Sequence, residues 1–304
     1  MRIGLTLLIA AALLTGAPRV QRTTIRIPVW PESGASLTAE NLTAEAGGQP
    51  AKVVSLHGPS DDLMLLLVLD LVADLNEIDL ARQALAEAIR SLPRNVYIGV
   101  LRAQDGMRVL LDPTDDRDAI LEAIQSAPVT GTPGLLETIG TVAEVGDAVL
   151  SKSSIRLAAM FITDSNIYAY REDFTNPVIN YSDSRDLSRR FSDGLVRQRI
   201  AKLDEQLSMS QTPVFVVHLE YDRDALNEAY QNGIMQLVST TAGSAVFCRS
   251  NSEISTAIAE ALQKAVGHYG VDLQVPDGAA GNVDIVLKSG NGALAYRNRV
   301  RLSK

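Results

Sequence analysis

Three polar residues lie where side chains at the edge of a buried sheet could together bind a metal ion. Asp70 ends the apolar run 63–69, Asp164 ends a second apolar run, and Thr132 lies in a Gly-Thr-Pro-Gly loop. In open α/β sheets the carboxyl ends of the strands surround the crevice where ligands bind. Two carboxylates and a hydroxyl are oxygen ligands that suit Mg²⁺, with a position left for a partner's carboxylate. Each residue alone is equally typical of a helix cap or a turn.

The apolar runs that end in these residues belong to an alternation of strands and helices. Residues 63–69 and 155–163 are apolar almost throughout, which is typical of strands covered on both faces. Helical spacing of apolar residues predicts the connecting helices. The predicted strands are 63–69, 96–101, 107–111, 155–163, 213–219 and 244–248, and the predicted helices are 77–92, 112–127, 187–209, 224–242 and 252–267, with a further helix opened by the loop 131–134.

This order predicts the fold class, an α/β domain with a doubly wound, mostly parallel sheet. One segment has no clear period: residues 166–186 are rich in tyrosine and asparagine and are interpreted as a long loop beside the strand ends. Loops of this length are often functional. A surface insertion without a function is the alternative.

Patterns typical of β structure lie at both ends of the chain. Segments 23–30, 37–46 and 51–56 precede the α/β region, and segments 269–275, 283–287 and 293–302 follow it. Strands from the two ends could pair in one small β module that flanks the α/β domain. The predicted division is a signal peptide over 1–17, an N-terminal β segment over 18–60, the α/β domain over 61–268 and a C-terminal β segment over 269–304.

The first residues have the order of a secretory signal. Met1-Arg2 is followed by an apolar stretch over 3–14 and by Thr15-Gly16-Ala17, which places cleavage near Ala17. A secreted or periplasmic protein is therefore predicted, with no stable membrane span after cleavage. The alternative is an uncleaved anchor, for which the stretch is short because a span needs about 20 apolar residues.

The charge of the chain bears on its partner, and its cysteine content bears on disulfide bonds. The net charge of −8 and the pI near 5.0 argue against a nucleic-acid partner, since phosphate contacts need a clustered basic face. The single cysteine, Cys248, excludes an internal disulfide and is interpreted as a small buried hydrophobe.

With these motifs in place, the sequence resembles the von Willebrand factor type A domain over residues 62–268. The likeness rests on the Leu-Leu-Leu-Val-Leu-Asp strand at 65–70, the loop at 131–133, Phe-Ile-Thr-Asp-Ser at 161–165, Pro-Val-Phe-Val-Val at 213–217 and Thr-Thr-Ala-Gly-Ser-Ala at 240–245. The flanks at 37–53 and 269–299 are similar to those of the secreted bacterial proteins related to this domain.

The resemblance implies a metal-ion-dependent adhesion site built from Asp-x-Ser-x-Ser, a distant Thr and a distant Asp. Asp70, Thr132 and Asp164 match this pattern, whereas Val72 and Asp74 stand in place of the two serines. The implied cofactor is Mg²⁺, Mn²⁺ or Ca²⁺. Asp74 could coordinate, which gives a carboxylate-rich site that suits Ca²⁺ or Mn²⁺ and depends less on a ligand's acid group. Alternatively the site is inactive and Asp70 caps a helix or turn.

The resulting expectation is an exported, non-enzymatic bacterial protein, of adhesion or assembly type, that binds another protein with the strand-end face. One alternative is a metal-assisted hydrolase that uses Asp70, Asp74 and Asp164. No histidine pair with metal spacing, nucleophile elbow or phosphate-binding loop supports it. The other alternative is a metal-free structural scaffold whose terminal strands pair with the edge of a partner's sheet.

Overall fold

A computed structural model describes residues 23–302 of the chain, apart from 33, 73 and 171–192. The strands are β1 (Thr24–Pro31), β2 (Leu42–Ala46), β3 (Gln49–His57), β4 (Leu63–Asp70), β5 (Val96–Arg102), β6 (Arg108–Thr114), β7 (Arg156–Thr163), β8 (Val214–His218), β9 (Ser244–Phe247), β10 (Tyr269–Gln274), β11 (Gly281–Ser289), β12 (Leu294–Tyr296) and β13 (Arg299–Leu302). The helices are α1 (Leu75–Arg90), α2 (Arg117–Ser126), α3 (Leu135–Leu150), α4 (Asp193–Leu207), α5 (Ala225–Thr240) and α6 (Ile254–Val266). The predicted signal peptide lies outside the described residues.

Six strands form one sheet in the order β6-β5-β4-β7-β8-β9. All neighbours in it are parallel except β5 and β6. The chain runs outward from β4 to β6 and then returns to β7 on the other side of β4. Such a reversal opens a crevice at the carboxyl ends of the two central strands. The predicted α/β fold class is confirmed, and the crevice lies between the ends of β4 and β7.

The central strand β4 is apolar throughout because helices cover both of its faces. Leu65 and Leu67 contribute to a core shared with α1, α2 and α6. Leu66 and Val68 contribute to a second core, shared with α3, α4 and α5. The strand therefore has no solvated face, which explains why its sequence lacks the polar alternation of a half-exposed strand.

The other seven strands form an antiparallel sheet in the order β12-β1-β10-β3-β2-β11-β13. The two outermost strands, β12 and β13, follow one another in the chain, with only residues 297 and 298 between them. The segment 294–302 thus joins the two ends of the sheet and curls it around its own apolar core. The predicted β module built from both chain ends is confirmed.

Both connections between the two sheets reach the parallel sheet at the amino ends of its strands. One runs from β3 into the start of β4, and the other runs from the end of α6 into β10. Arg156, which is fully buried at the start of β7, fastens both connections. Its guanidinium donates to the carbonyls of Pro59 and Asp61 (2.9 and 2.8 Å) and to those of Val266 and His268 (2.5 and 2.9 Å).

One predicted helix begins later than expected. Residues 112–114 were predicted to open a helix but belong to β6, and α2 begins at Arg117. The cap is Asp116, whose carboxylate accepts from the backbone N–H groups of Asp118 and Ala119. Pro113 lies against Gly99 of β5, where a Cβ atom would approach its ring to 3.1 Å. This close contact keeps Pro113 in the sheet.

Replacement of Arg156 should weaken the whole fold. In Arg156→Met the carbonyls of Val266 and His268 lose the guanidinium donor, whereas those of Pro59 and Asp61 keep the side-chain amide of Asn95. We expect the free energy of unfolding to fall by about 2–3 kcal/mol. Urea unfolding measures the loss. The matched control is Arg299→Met, which removes an exposed ion pair with Asp284 and should leave the free energy of unfolding nearly unchanged. Equal losses in the two variants would contradict the role given to Arg156.

Candidate functional site

Asp70 ends β4 in the crevice and binds the start of α3. Its Oδ1 accepts from the N–H of Gly134 (2.8 Å), and its Oδ2 accepts from the N–H of Leu135 (3.1 Å) and from the hydroxyl of Thr163 (3.2 Å). The side chain has no exposed surface. Burial raises the pKa of Asp70 to about 6 from its ordinary 3.8, although these hydrogen bonds oppose the rise. Asp70 therefore satisfies N–H groups that a helix start leaves without partners.

This arrangement requires glycine at position 134. A Cβ atom there would lie 1.9 Å from the carbonyl oxygen of Ala103, which follows β5. This close approach brings the start of α3 to the ends of the strands, where its N–H groups donate hydrogen bonds to Asp70. The second glycine of the Gly-Thr-Pro-Gly loop is thus explained by packing of backbone against backbone.

Asp164, at the end of β7, holds the loop that follows β4. Its Oδ1 accepts from the backbone N–H of Val72 at 2.8 Å, and the residue is 1% exposed. The valine that replaces a family serine thus contributes a main-chain donor to the crevice. Asp70 and Asp164 are close enough that the charge of Asp164 raises the pKa of Asp70.

Asp74 and Thr132 lie at the surface of the crevice. Asp74 caps α1, since its Oδ1 accepts from the N–H groups of Asn76 (2.7 Å) and Glu77 (3.4 Å). Thr132 is held through its main chain: its N–H donates to Oδ1 of Asp105 at 2.9 Å, and its carbonyl accepts from the N–H of Asp105. Asp105 adopts a positive φ of 55°, which aspartate tolerates better than most residues. Sequence reasoning missed Asp105.

The carboxylates among the four predicted ligands have main-chain partners. The three carboxylates accept hydrogen bonds from backbone N–H groups, and Asp70 and Asp164 are buried. Within the described parts of the chain, no group of three or more His, Cys, Asp or Glu residues is placed to hold a metal ion. The aspartates thus cap helices and fasten loops, and metal binding by them stays a prediction.

Further carboxylates lie around the crevice, and sequence reasoning missed them. Burial raises the pKa of Glu77 to about 7, and the charges of Glu220, Asp74, Asp164 and Asp222 raise it further. The pKa of Glu220 and that of Asp222 are also raised, first by burial and then by neighbouring carboxylates. We call Asp74, Glu77, Asp164, Glu220 and Asp222 the acidic rim. Glu77, Glu220 and Asp222 were the ones not predicted. The signal in the sequence was their position, since Glu77 lies in the first turn of α1 and the other two follow β8.

His218 is a buried residue that supports the loops of the acidic rim. It is buried at the end of β8, where its Nε2 lies 3.0 Å from the carbonyl of Ser165 and its Nδ1 accepts from the N–H of Glu220 at 3.3 Å. Burial lowers the pKa of His218 to about 4, so the ring is neutral at physiological pH. It stacks on Phe247 with the ring centres 5.4 Å apart. The histidine therefore fixes the loops after β7 and β8.

Only the start of the predicted loop 166–186 lies within the described residues. Ile167–Tyr170 forms a short 3-10 turn, in which Ile167 and Tyr170 are buried. The N–H of Ile167 donates to Oδ1 of Asn227 in α5 at 2.8 Å. The prediction for residues 171–186 lies outside the described part of the chain.

The strand order and the crevice define an α/β domain of the doubly wound class. No protein-family model matches the sequence, and no curated protein does. The structure is similar to a von Willebrand factor type A protein from Catenulispora acidiphila, with a TM-score of 0.47 and 11% identity over 86% of this chain and 74% of that one. It is also similar to protein BatB from Bacteroides thetaiotaomicron, with a TM-score of 0.39 and 15% identity over 67% of this chain and 98% of that one.

A third similar structure is proximal thread matrix protein 1 of the mussel byssus, with a TM-score of 0.43 and 11% identity. This chain spans 50% of that protein's length, and the alignment covers 70% of this chain. At these levels of similarity we take the fold class from the strand order itself.

Removal of the Asp70 carboxylate should destabilise the protein more than removal of the Asp74 carboxylate. Asp70→Ala leaves two buried N–H groups and a hydroxyl without an acceptor, which should cost about 2–4 kcal/mol. Asp74→Ala removes an exposed helix cap, at about 1 kcal/mol. Urea unfolding of both variants measures the difference. A loss in Asp70→Ala no larger than that in Asp74→Ala would show that the buried bonds are unimportant.

Titration of the chain with Mg²⁺, Mn²⁺ and Ca²⁺ should give no saturable heat, because the carboxylates already have main-chain partners. Isothermal calorimetry tests this, with Asp164→Ala as the companion variant. Saturable binding that disappears in Asp164→Ala would instead establish a variant adhesion site.

Proposed function

We propose that this chain is an exported, non-enzymatic protein-binding module, of adhesion or assembly type, that binds a basic partner segment with the acidic rim and without a metal ion. The observation that carries the proposal is the crowding of carboxylates at the carboxyl ends of β4, β7 and β8. Burial is the main cause of the raised pKa of Glu77, and the charges of Glu220, Asp74, Asp164 and Asp222 add to it. Such crowding costs folding free energy, and it is relieved when a lysine or arginine of a partner lies among the carboxylates.

The position of the β module supports this choice of face. Both connections to the module lie at the amino ends of the parallel strands, so the carboxyl ends stay uncovered by it. Leu75, which is 64% exposed, lies in the rim between Asp74 and Glu77. An exposed apolar side chain among charged ones offers a partner some contact area in addition to charge.

The burial of the central aspartates favours binding over hydrolysis. A metal-assisted hydrolase would need Asp70 and Asp164 to reach an ion or a water molecule, and both are buried and bonded to N–H groups. The histidine nearest the crevice, His218, is buried and neutral. Among residues 23–32, 34–72, 74–170 and 193–302, no helix is long and apolar enough to cross a bilayer.

Binding of a labelled oligolysine peptide tests the proposal. We expect saturable binding that weakens as salt is added and falls by about tenfold in the double variant Glu77→Gln, Glu220→Gln, because two charges of the rim are removed. Fluorescence anisotropy gives the affinity. The matched control is Glu122→Gln, an exposed glutamate on α2, which should bind like the unmodified chain.

Two results would contradict the proposal. Oligolysine that binds the rim variant and the Glu122→Gln control equally well would show only attraction to the net charge of −8. Oligoglutamate that competes with oligolysine for the same face would point to an acidic partner.

The pH dependence of the free energy of unfolding tests the raised pKa of Glu77 without any partner. The pKa of Glu77 is about 7 in the folded chain against an ordinary 4.5, so ionisation of Glu77 destabilises the fold as the pH rises through this window. Relative to the unmodified chain, Glu77→Gln should therefore gain stability at about pH 8 and gain little at about pH 4. Urea unfolding at both values measures the difference, and a gain that is equal at the two would contradict it.

A further inference from the structure

A polar cleft of about 310 Å³ lies where the β module meets the last turns of α4 and α5. It is remote from the acidic rim, since helices that connect parallel strands end at the amino edge of the sheet. Its lining consists of hydroxyl, amide and charged side chains: Asp204, Ser208, Ser239, Thr240, Asn282, Arg297, Asn298, Arg299 and Arg301. We call it the arginine cleft.

Three arginines in one cleft are unusual in a chain whose net charge is −8. Arg297 is only 9% exposed, and its guanidinium donates to the carbonyls of Ser208, Ser210 and Arg299. In the described parts of the chain it has no carboxylate within ion-pair distance. Carbonyl oxygens satisfy its hydrogen bonds, and the charges of Asp147 and Asp204 favour its charged form. The lining holds three arginines against one carboxylate, Asp204, so positive charge is in excess there.

Arg299 and Arg301 follow at alternate positions of β13 and so lie on one face of the strand. Val300 and Leu302, between and after them, point into the core of the β module, which turns the arginines outward. Each arginine has one exposed carboxylate partner, Asp284 at 2.8 Å and Glu205 at 2.7 Å. Exposed pairs of this kind contribute little stability, so a ligand can share the guanidinium groups.

We propose that the arginine cleft binds a small organic phosphate or carboxylate that also carries hydroxyl groups. The planar guanidinium donors of Arg299 and Arg301 match the paired oxygens of such a group, and the charge of Arg297 attracts it. Asp204, Asn282 and Asn298 supply the acceptors and donors that hydroxyl groups need. The volume of the cleft is in the range of small-molecule sites and exceeds what a bare inorganic anion would fill.

Calorimetric titration of the chain with glucose 6-phosphate and with glucuronate tests the proposal and separates the two kinds of acid group. Glucose and inorganic phosphate are the companion titrants. We expect saturable binding of at least one sugar acid, with weaker binding of inorganic phosphate and none of glucose. The double variant Arg299→Gln, Arg301→Gln should lower the affinity for that acid by about tenfold or more, since it removes charged hydrogen bonds.

Arg108→Gln is the matched control, because Arg108 is an exposed arginine of β6 outside the cleft. Thermal unfolding of both variants confirms that they are folded. Three results would overturn the proposal: no binding of either sugar acid, binding that the double variant retains, or inorganic phosphate that binds as tightly as glucose 6-phosphate. The oligolysine experiment concerns the opposite edge of the sheet, so either proposal can fail alone.

Discussion

The crevice of this protein depends on one interaction, the hydrogen bonding of the buried Asp70 carboxylate to the first N–H groups of α3. The carboxylate ends the central strand, and the helix starts 65 residues later in the chain. Their contact fixes the end of β4 against the helix that covers one face of the sheet. A buried charge of this kind is tolerated because three donors and the positive end of a helix compensate for the lost water. Gly134 makes the contact sterically possible.

The same carboxylates show how residues of a metal-binding pattern can also fasten loops and cap helices. In the adhesion-site pattern, two hydroxyl side chains share the crevice with the aspartates. Here Val72 offers only its main-chain N–H, and Asp164 accepts it. Asp74 lies two residues after Val72 and caps α1 instead. Both contacts use an aspartate to fasten a loop or cap a helix, and further carboxylates collect around the crevice at the acidic rim.

Much of the fold could be predicted from the sequence because its signals are local. The apolar strands that end in Asp70 and Asp164, and the helical spacing between strands, are each contained in fewer than twenty residues. The partners of the site residues could not be predicted, because they depend on contacts over long separations. Nothing in the sequence near Asp70 indicates the N–H groups of Gly134 and Leu135, and nothing near Arg156 indicates the carbonyls of both connections. The helix expected at Asp112 failed for the same reason, since the packing of Pro113 on Gly99 is a contact between strands.

The separation of the two charged surfaces follows from the way the chain is wound. Helices of a doubly wound sheet return the chain from the carboxyl edge to the amino edge, so loops with capping aspartates collect at the first edge and helix carbonyls collect at the second. Carbonyl groups at helix ends attract cations, and Arg297 binds those that follow α4. The β module contributes that arginine, which means that the contact joining the two sheets also creates the arginine cleft. An acidic carboxyl edge and a basic cleft at the amino edge are therefore consequences of one topology, and a chain with a net negative charge can present both.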